Sequence, residues 1–183
     1  MRYAAMLRAV NLPGYGKVGM AALRDCVENA GCANARTLLQ SGNVVFESTA
    51  RKAQAVEELL EKAAAKELGL APEFFVRSGA ELNRILSENP FPKMAKHDPG
   101  HLLVLFLKEA VTAATVAELQ KAIRDRELVR GAGREVYVAY PDGVGRSRLT
   151  TAMIEKKLGT RATGRNWNTV NKLAALTTPV EPA

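Results

Sequence analysis

The sequence contains few residues of the kinds that often mark a catalytic or metal site. Aromatic residues make up 5% of the 183 positions, and there are one tryptophan, two histidines and two cysteines. Cys26 and Cys32 are six positions apart, a spacing that matches neither a Cys-x-x-Cys redox pair nor a zinc site. We therefore expect two reduced cysteines buried in a core rather than a disulfide scaffold.

Long apolar runs are also absent. No stretch approaches the roughly 18 to 20 apolar residues of a membrane span, and Arg8 interrupts the N-terminal apolar run, which is then too short for a secretory signal. We expect a cytoplasmic protein without a membrane partner. Hydrophobic residues account for 47% and charged residues for 25%, as in an ordinary soluble chain of one domain or of two half-sized units.

Positive charge is in excess and is concentrated in one region. The formal net charge is +7. Residues 121–172 include twelve Lys or Arg and five Asp or Glu, and this difference of +7 equals the excess of the whole chain. A local positive potential attracts phosphates and polyanions, whereas the alternative is a basic face kept for solubility.

Periodicity in the first part of the chain predicts the element order β-α-β-β-α-β. Met20, Leu23 and Val27 lie on one face of the first helix, which Gly31 terminates. Ser41-Gly42-Asn43 reads as the tight turn of a hairpin. The predicted segments are 2–9, 20–30, 36–39, 44–47, 51–68 and 73–77.

The second part repeats this order after a connector that contains a short helix. The glycines of Gly131-Ala-Gly133 predict a turn between two strands, and Trp167, Val170 and Ala174 are spaced for an additional helix. The predicted segments are the connector helix 80–87, strand 101–107, helix 112–123, a strand near Leu128, strand 135–139, helix 148–158 and strand 161–163.

These patterns predict an α+β protein of two ferredoxin-like (βαββαβ) halves with an extra C-terminal helix. Residues 1–78 form the first half, 79–100 the connector, and 101–183 the second half with the terminal helix. Loops at one end of the first half gather a polar cluster, which we call the first cluster: Arg8, Asn11, Lys17, Gln40 and Asn43. Loops at one end of the second half gather the second cluster: Arg146, Ser147, Arg148, Arg165 and Asn166.

Four motifs resemble the uncharacterised domain-of-unknown-function family 1697. They are Arg8-Ala-Val-Asn-Leu-Pro-Gly, Gln40-Ser-Gly-Asn-Val44, Pro141-Asp-Gly-Val-Gly-Arg-Ser-Arg-Leu149 and Thr163-Gly-Arg-Asn-Trp-Asn-Thr-Val170. The resemblance spans nearly the whole chain and implies a duplicated ferredoxin-like fold, but no activity. In the first motif Ala9 and Leu12-Pro13 replace family residues that include glycines, and alanine and proline disfavour a backbone cradle for an anion there.

The second cluster combines a helix start with cations. Ser147 is placed to cap a helix, and the free N–H groups of a helix start, with Arg146 and Arg148, favour an anion. The alternative is a capped helix with solvated arginines. Arg165 and Asn166 could grip a phosphate beside Trp167, although we favour Trp167 as a core anchor and Asn166 as the cap of the last helix.

Other chemistry is weakly indicated. Ser41 has no general base near it in sequence and reads as a turn residue. His97 and His101 flank a Pro-Gly break, which prevents the helical spacing of many zinc sites. We expect no metal and no cofactor.

The sequence thus predicts a binding module for an anionic ligand, either a phosphorylated small molecule or a nucleic acid, with the two clusters as candidate sites. Two alternatives stay open. One is a small metal-independent enzyme of unknown reaction. The other is an interaction protein that forms a homodimer through sheet faces or edges.

Overall fold

A computed structural model describes residues 1–8, 19–39, 42–69 and 71–178. Within these ranges the protein is a mixed α+β structure of seven α-helices and two antiparallel sheets. The chain divides into two compact units, Met1–Arg84 with Lys172–Ala183, and Ile85–Asn171. No helix in the described ranges is both long and apolar enough to cross a membrane.

The first unit has the element order that periodicity predicts. Its elements are β1 (Arg2–Leu7), α1 (Met20–Asn29), β2 (Ala33–Leu38), β3 (Asn43–Glu47), α2 (Ala53–Leu68) and β4 (Phe74–Ser78). The strands form an antiparallel sheet in the order β2-β3-β1-β4. Gly31 follows α1 with φ 87°, a left-handed conformation that favours glycine and ends the helix where predicted.

Apolar periodicity builds the core of this unit. Leu23 and Val27 of α1 and Leu60 of α2 are fully buried, and they pack in one cluster with alternate residues of the sheet. Both cysteines are free thiols buried in the same cluster, which confirms their predicted role as small core residues.

The second unit is built around a three-stranded sheet in the order β6-β5-β7. Its central strand β5 (Leu102–Val111) pairs antiparallel with both neighbours. The remaining elements are α3 (Gly79–Ser87), α4 (Pro92–His97), a 3-10 turn at Pro99–His101, α5 (Ala113–Ala122), β6 (Leu128–Ala139), a 3-10 turn at Val144–Arg146, α6 (Thr151–Leu158), β7 (Ala162–Asn166) and α7 (Trp167–Thr177). The chain passes between the two units within α3 and again within α7.

One continuous strand, β6, takes the place of the two strands predicted near Leu128 and at 135–139. The predicted turn is nevertheless visible inside it, because Gly131 and Gly133 have φ values of 140° and 71°. A Cβ on Gly131 would lie 2.5 Å from the carbonyl oxygen of Glu135. In an extended strand these residues would be about 13 Å apart, so the backbone must fold back on itself here.

The two sheets share one pairing pattern. Ala4 in the central strand β1 lies opposite Arg77 of β4, and Val104 in the central strand β5 lies opposite Arg165 of β7. Each arginine is the fourth residue of its strand, and each donates a hydrogen bond to the carbonyl oxygen of the preceding residue. Equivalent strand positions therefore carry the same local structure in both units.

Candidate functional site

A cleft of about 540 Å³ lies between the end of α5 and the start of α6. All of its lining residues belong to the second unit. They are Lys121, Ala122, Ile123, Arg124, Asp125, Glu127, Arg148, Leu149, Met153 and Lys157. The apolar members continue into the core of the unit, and the charged members lie around them.

The Gln120 side chain holds the segment that follows α5. Its Nε2 donates to the carbonyl oxygen of Glu127 at 3.1 Å, and its Oε1 accepts from the backbone N–H of Val129 at 2.6 Å. A single amide of α5 thus satisfies both a donor and an acceptor of the segment that enters β6. This contact positions Glu127 at the wall of the cleft.

Glu127 is a buried residue, 7% exposed, and its two carboxylate oxygens differ in their hydrogen bonding. The Ser147 hydroxyl donates a hydrogen bond to Oε1 of Glu127, and Ser147 Oγ accepts from the N–H of Leu149 at 2.9 Å. Oε2 is shielded from solvent and has no hydrogen-bond partner among the described residues. Burial of a carboxylate oxygen without a hydrogen-bond partner is unfavourable, so a donor that reached this atom would gain a favourable hydrogen bond.

The role predicted for Ser147 as a helix cap is wrong. Helix α6 begins at Thr151, and Thr150 is its cap, because Thr150 Oγ1 accepts from the N–H of Met153 at 3.2 Å. Ser147 instead orients Glu127. The free N–H groups of the helix start therefore lie beyond Arg148 rather than at Gly143–Ser147.

Tyr140 lies beneath the same segment. Its hydroxyl donates to the carbonyl oxygen of Leu149 at 3.1 Å, and the side chain is part of the apolar core. Burial, reinforced by the negative charge of Glu127, raises the pKa of Tyr140 to about 12. The phenol is therefore neutral at physiological pH.

Four cations and two carboxylates line the cleft, which gives a formal charge of +2. Lys121 pairs with exposed Glu118 at 2.7 Å, and this bond raises the pKa of Lys121. Within the described part of the chain, Arg124, Arg148 and Lys157 form no ion pair. These three side chains can therefore bind a ligand without first breaking an internal bond.

The remaining members of the second cluster make internal contacts or lie away from this cleft. Arg146 is exposed in its 3-10 turn. Arg165 donates to Thr163 Oγ1 at 2.9 Å and to the Gly164 carbonyl at 2.8 Å, and burial lowers its pKa to about 10. Asn166 Oδ1 accepts from the N–H of Thr169 at 3.0 Å, which confirms it as the cap of α7.

Trp167 follows that cap and is 8% exposed, which confirms its prediction as a buried anchor. A buried indole does not offer a face on which a nucleobase can stack. This removes one of the features that favoured a nucleic-acid ligand at the second cluster.

Two members of the first cluster can be placed. Arg8 Nη1 lies 3.3 Å from Glu73 Oε2, and fully buried Asn43 donates to the carbonyl oxygen of Leu38 at 3.1 Å. Both side chains hold strand ends together. Asn11, Lys17 and Gln40, with Ser41 and the substituted positions of the first motif, lie outside the described residues, and the first cluster stays a prediction.

The histidine region forms a surface pair. His101 Nδ1 lies 2.6 Å from Asp98 Oδ2, with both side chains largely exposed. Across the described ranges, no group of three or more His, Cys, Asp or Glu could hold a metal ion.

Sequence reasoning missed five charged residues of the cleft. They are Lys121, Arg124, Asp125, Glu127 and Lys157. The only signal for them was the excess of positive charge in 121–172. No motif marks these positions, because three separate segments contribute them.

Comparison with known proteins adds fold information but no activity. A family model described as a protein of unknown function, DUF1697, matches residues 1–137. The structure is similar to a conserved bacterial protein from Streptococcus pneumoniae, with a TM-score of 0.75 and 23% identity over 97% of this chain and 98% of that chain. No curated protein matches the chain.

Proposed function

The chain belongs to the DUF1697 family of proteins of unknown function, and from the geometry of its second unit we propose that it binds a phosphorylated small molecule. The site is the cleft between α5 and α6. The observation that carries the proposal is a group of three unpaired cations, Arg124, Arg148 and Lys157, around a partly apolar cleft of about 540 Å³.

The size of the cleft favours a small molecule over a nucleic acid. Sites for small ligands are concave, partly apolar and typically about 300 to 1,000 Å³ in volume, with a few convergent polar groups. Nucleic-acid surfaces are extended, and they add exposed aromatic side chains for stacking when they bind single strands. The only tryptophan is buried, as described above.

Guanidinium and ammonium groups bind phosphate by complementary means. Arg148 offers paired N–H donors that match two phosphate oxygens, and Lys157 adds a point charge. Both side chains are exposed and unpaired in the described structure, so their attraction for an anion is not offset by loss of an internal salt bridge. The ligand phosphate is expected between these two residues.

We also propose that both units are ferredoxin-like. The first unit supports this by its β-α-β-β-α-β order and its strand order β2-β3-β1-β4. In the second unit, the reversal at Gly131 would divide β6 into the two middle strands of the same motif. The domain limits 1–78, 79–100 and 101–183 remain predictions, as does a cytoplasmic location.

Thermal unfolding in increasing inorganic phosphate and pyrophosphate tests the binding proposal. We expect the melting temperature of the natural protein to rise with ligand concentration, by an amount that corresponds to about 2.7 kcal/mol when the ligand is at 100 times its Kd. Arg148→Ala combined with Lys157→Ala should abolish the rise. Lys62→Ala with Lys66→Ala, an equal loss of charge on the exposed face of α2, should retain it.

Two results would contradict the proposal. One is an equal rise, or no rise, in all three proteins. The other is tight binding of a fluorescent single-stranded oligonucleotide that weakens steeply with salt and exceeds the binding of pyrophosphate, which would assign the charge to a nucleic acid.

A further inference from the structure

Glu127 differs from three other buried or half-buried glutamates that contact strands. Glu57, Glu61 and Glu155 each accept a hydrogen bond from a backbone N–H of the last strand of their unit, at 2.8, 2.9 and 2.7 Å respectively. Those carboxylates tie a helix to a strand edge. Glu127 accepts only from the Ser147 hydroxyl, and its Oε2 has no partner among the described residues.

The carboxylate of Glu127 is held in a defined position. Gln120 fixes its backbone, Ser147 fixes Oε1, and the N–H of Leu149 fixes Ser147 in turn. A ligand that meets a positioned acceptor loses less conformational entropy on binding, which is the physical basis of preorganisation. An acceptor held by such a chain of bonds is suited to recognition.

The acceptor and the cation Arg148 come from two segments of the cleft that are bonded to each other. Arg148 directly follows Ser147, whose hydroxyl is bonded to Glu127, and all three residues belong to the segments that form the cleft. An occupant that places an anion against Arg148 is therefore close to Glu127. The phosphate group of a monoester is mostly dianionic at neutral pH, because its second pKa is about 6, and it has little to donate to a carboxylate. A second group on the ligand is therefore needed.

We infer that the ligand is a phosphorylated polyol, such as a sugar phosphate, with its phosphate on Arg148 and Lys157 and a hydroxyl donating to Glu127. The inference rests on the proposed function. A hydroxyl is favoured over an ammonium group because four cations already line the cleft and would repel a further positive charge. Oε2 is shielded from solvent in this structure, so binding of the hydroxyl requires the groups around this atom to move, and changes of side-chain rotamer are fast.

Ligand selectivity tests the inference. Glucose 6-phosphate and ribose 5-phosphate are compared with methyl phosphate, which has the charge but no hydroxyl, by calorimetric titration. We expect at least one sugar phosphate to bind the natural protein about 10 to 100 times more tightly than methyl phosphate. Loss of one partner of a ligand hydrogen bond commonly has effects of this order or larger.

Glu127→Gln keeps the shape of the side chain and removes its charge. This variant should lose most of the preference for sugar phosphates while its affinity for methyl phosphate is unchanged or slightly increased. Glu58→Gln, the same substitution at an exposed position of α2, should retain the preference. If Glu127→Gln does not fold, Ser147→Ala, which releases the carboxylate, provides the same comparison and should reduce the preference.

The outcomes separate the two proposals. Equal preference in the natural protein and the folded Glu127 variant, or no preference in the natural protein, would overturn the polyol inference while leaving phosphate binding intact. Higher affinity for phosphoethanolamine than for every sugar phosphate would replace the hydroxyl with an amine and also overturn it. Failure of all phosphates to bind would instead remove the proposed function.

Discussion

The ends of corresponding helices are linked in the first unit and open in the second. Helices α1 and α5 are both ten residues long, and α2 and α6 both end at a left-handed glycine, Gly69 or Gly159. Counting along these helices makes Asn29 equivalent to Ala122. By the same count from the glycines, Glu67 is equivalent to Lys157.

In the first unit these positions are joined, because Asn29 Nδ2 donates to Glu67 Oε2 at 3.1 Å. In the second unit Ala122 and Lys157 line the cleft instead. Loss of a polar side chain and reversal of one charge thus distinguish a closed helix pair from a basic cleft. The shared backbone structure places the ends of the two helices at equivalent positions in both units. The side chains at these two positions determine whether the helix ends are joined or separated by a cleft.

A buried carboxylate in each unit shows a similar difference between internal bonding and an unpaired group. Glu57 is 4% exposed and accepts from the N–H of Val76, and its Oε1 lies 3.5 Å from Nη1 of fully buried Arg77. Glu127 has a comparable burial but one oxygen without a partner in the described structure. The first carboxylate supports the fold, whereas the second is the one for which we propose a ligand contact.

Breaking the ion pair of the first unit should have the largest effect on stability. Arg77→Met leaves Glu57 buried without its cation, and we expect a loss of about 3 to 5 kcal/mol in the free energy of unfolding. Glu127→Gln should change it by less than about 1 kcal/mol, because no cation is lost. Urea unfolding at neutral pH measures both, and equal losses would show that Glu127 is a structural residue like Glu57.

The second-largest loss of stability is expected at the chain reversal inside β6. Gly131→Ala would place a Cβ 2.5 Å from the Glu135 carbonyl oxygen at φ 140°. We expect a loss of roughly 2 to 3 kcal/mol. Gly133→Ala has a left-handed φ but open space around its Cβ, and should cost only about 1 kcal/mol. Equal, small losses at both positions would remove the support for two strands within β6.

Tyr140 should produce a pH dependence of stability. Because the pKa of the folded tyrosine is raised from 10.0 to about 12, its contribution is complete below the unfolded pKa and is lost as the pH rises toward 12. A shift of this size corresponds to about 3 kcal/mol. The stability difference between the natural protein and Tyr140→Phe should therefore shrink in alkali.

Absorbance titration of the tyrosines provides the matched measurement for that prediction. The titration step near pH 12 should disappear in Tyr140→Phe. In Glu127→Gln it should move to lower pH, since the negative charge of Glu127 contributes to the raised pKa. A Tyr140 that titrates near pH 10, its ordinary value, would place the phenol in contact with water.

Helix caps give the smallest expected effects. In the second unit Thr112 and Thr150 are the N-terminal caps of α5 and α6, and both threonines accept from a backbone N–H. In the first unit Lys52 occupies the cap position of α2 and makes no side-chain cap bond. Thr150→Ala should cost about 1 kcal/mol, whereas Lys52→Ser should add a few tenths to about 1 kcal/mol. Thermal unfolding measures both, and a loss in Lys52→Ser would contradict the comparison.

Local patterns predicted most elements because they depend on neighbours in the chain. Leu23 and Val27 define the buried face of α1, and Asn166 caps α7 through a backbone group three residues away. Ser147 was assigned wrongly for the opposite reason. Its hydroxyl is hydrogen-bonded to Glu127, twenty residues earlier in the sequence. A local sequence pattern does not show that such a distant residue competes with the helix start for the same hydroxyl.

The candidate site was only partly predictable. Arg148 and Ser147 belong to a recognisable motif, and both lie at or beside the cleft. Lys121 and Lys157 are ordinary residues of helix ends. Only the packing of α5 against α6 gives them a common ligand surface.

By itself the sequence determined most of the segments that become helices and strands, the burial of both cysteines and Trp167, and the concentration of positive charge in 121–172. Tertiary structure alone decided which polar groups are hydrogen-bonded within the protein and which have no partner among the described residues. The physical reason is that hydrogen bonds and charge interactions act over a few ångströms in space. Glu57 and Glu127 therefore cannot be told apart until the strands and loops that reach them are in place.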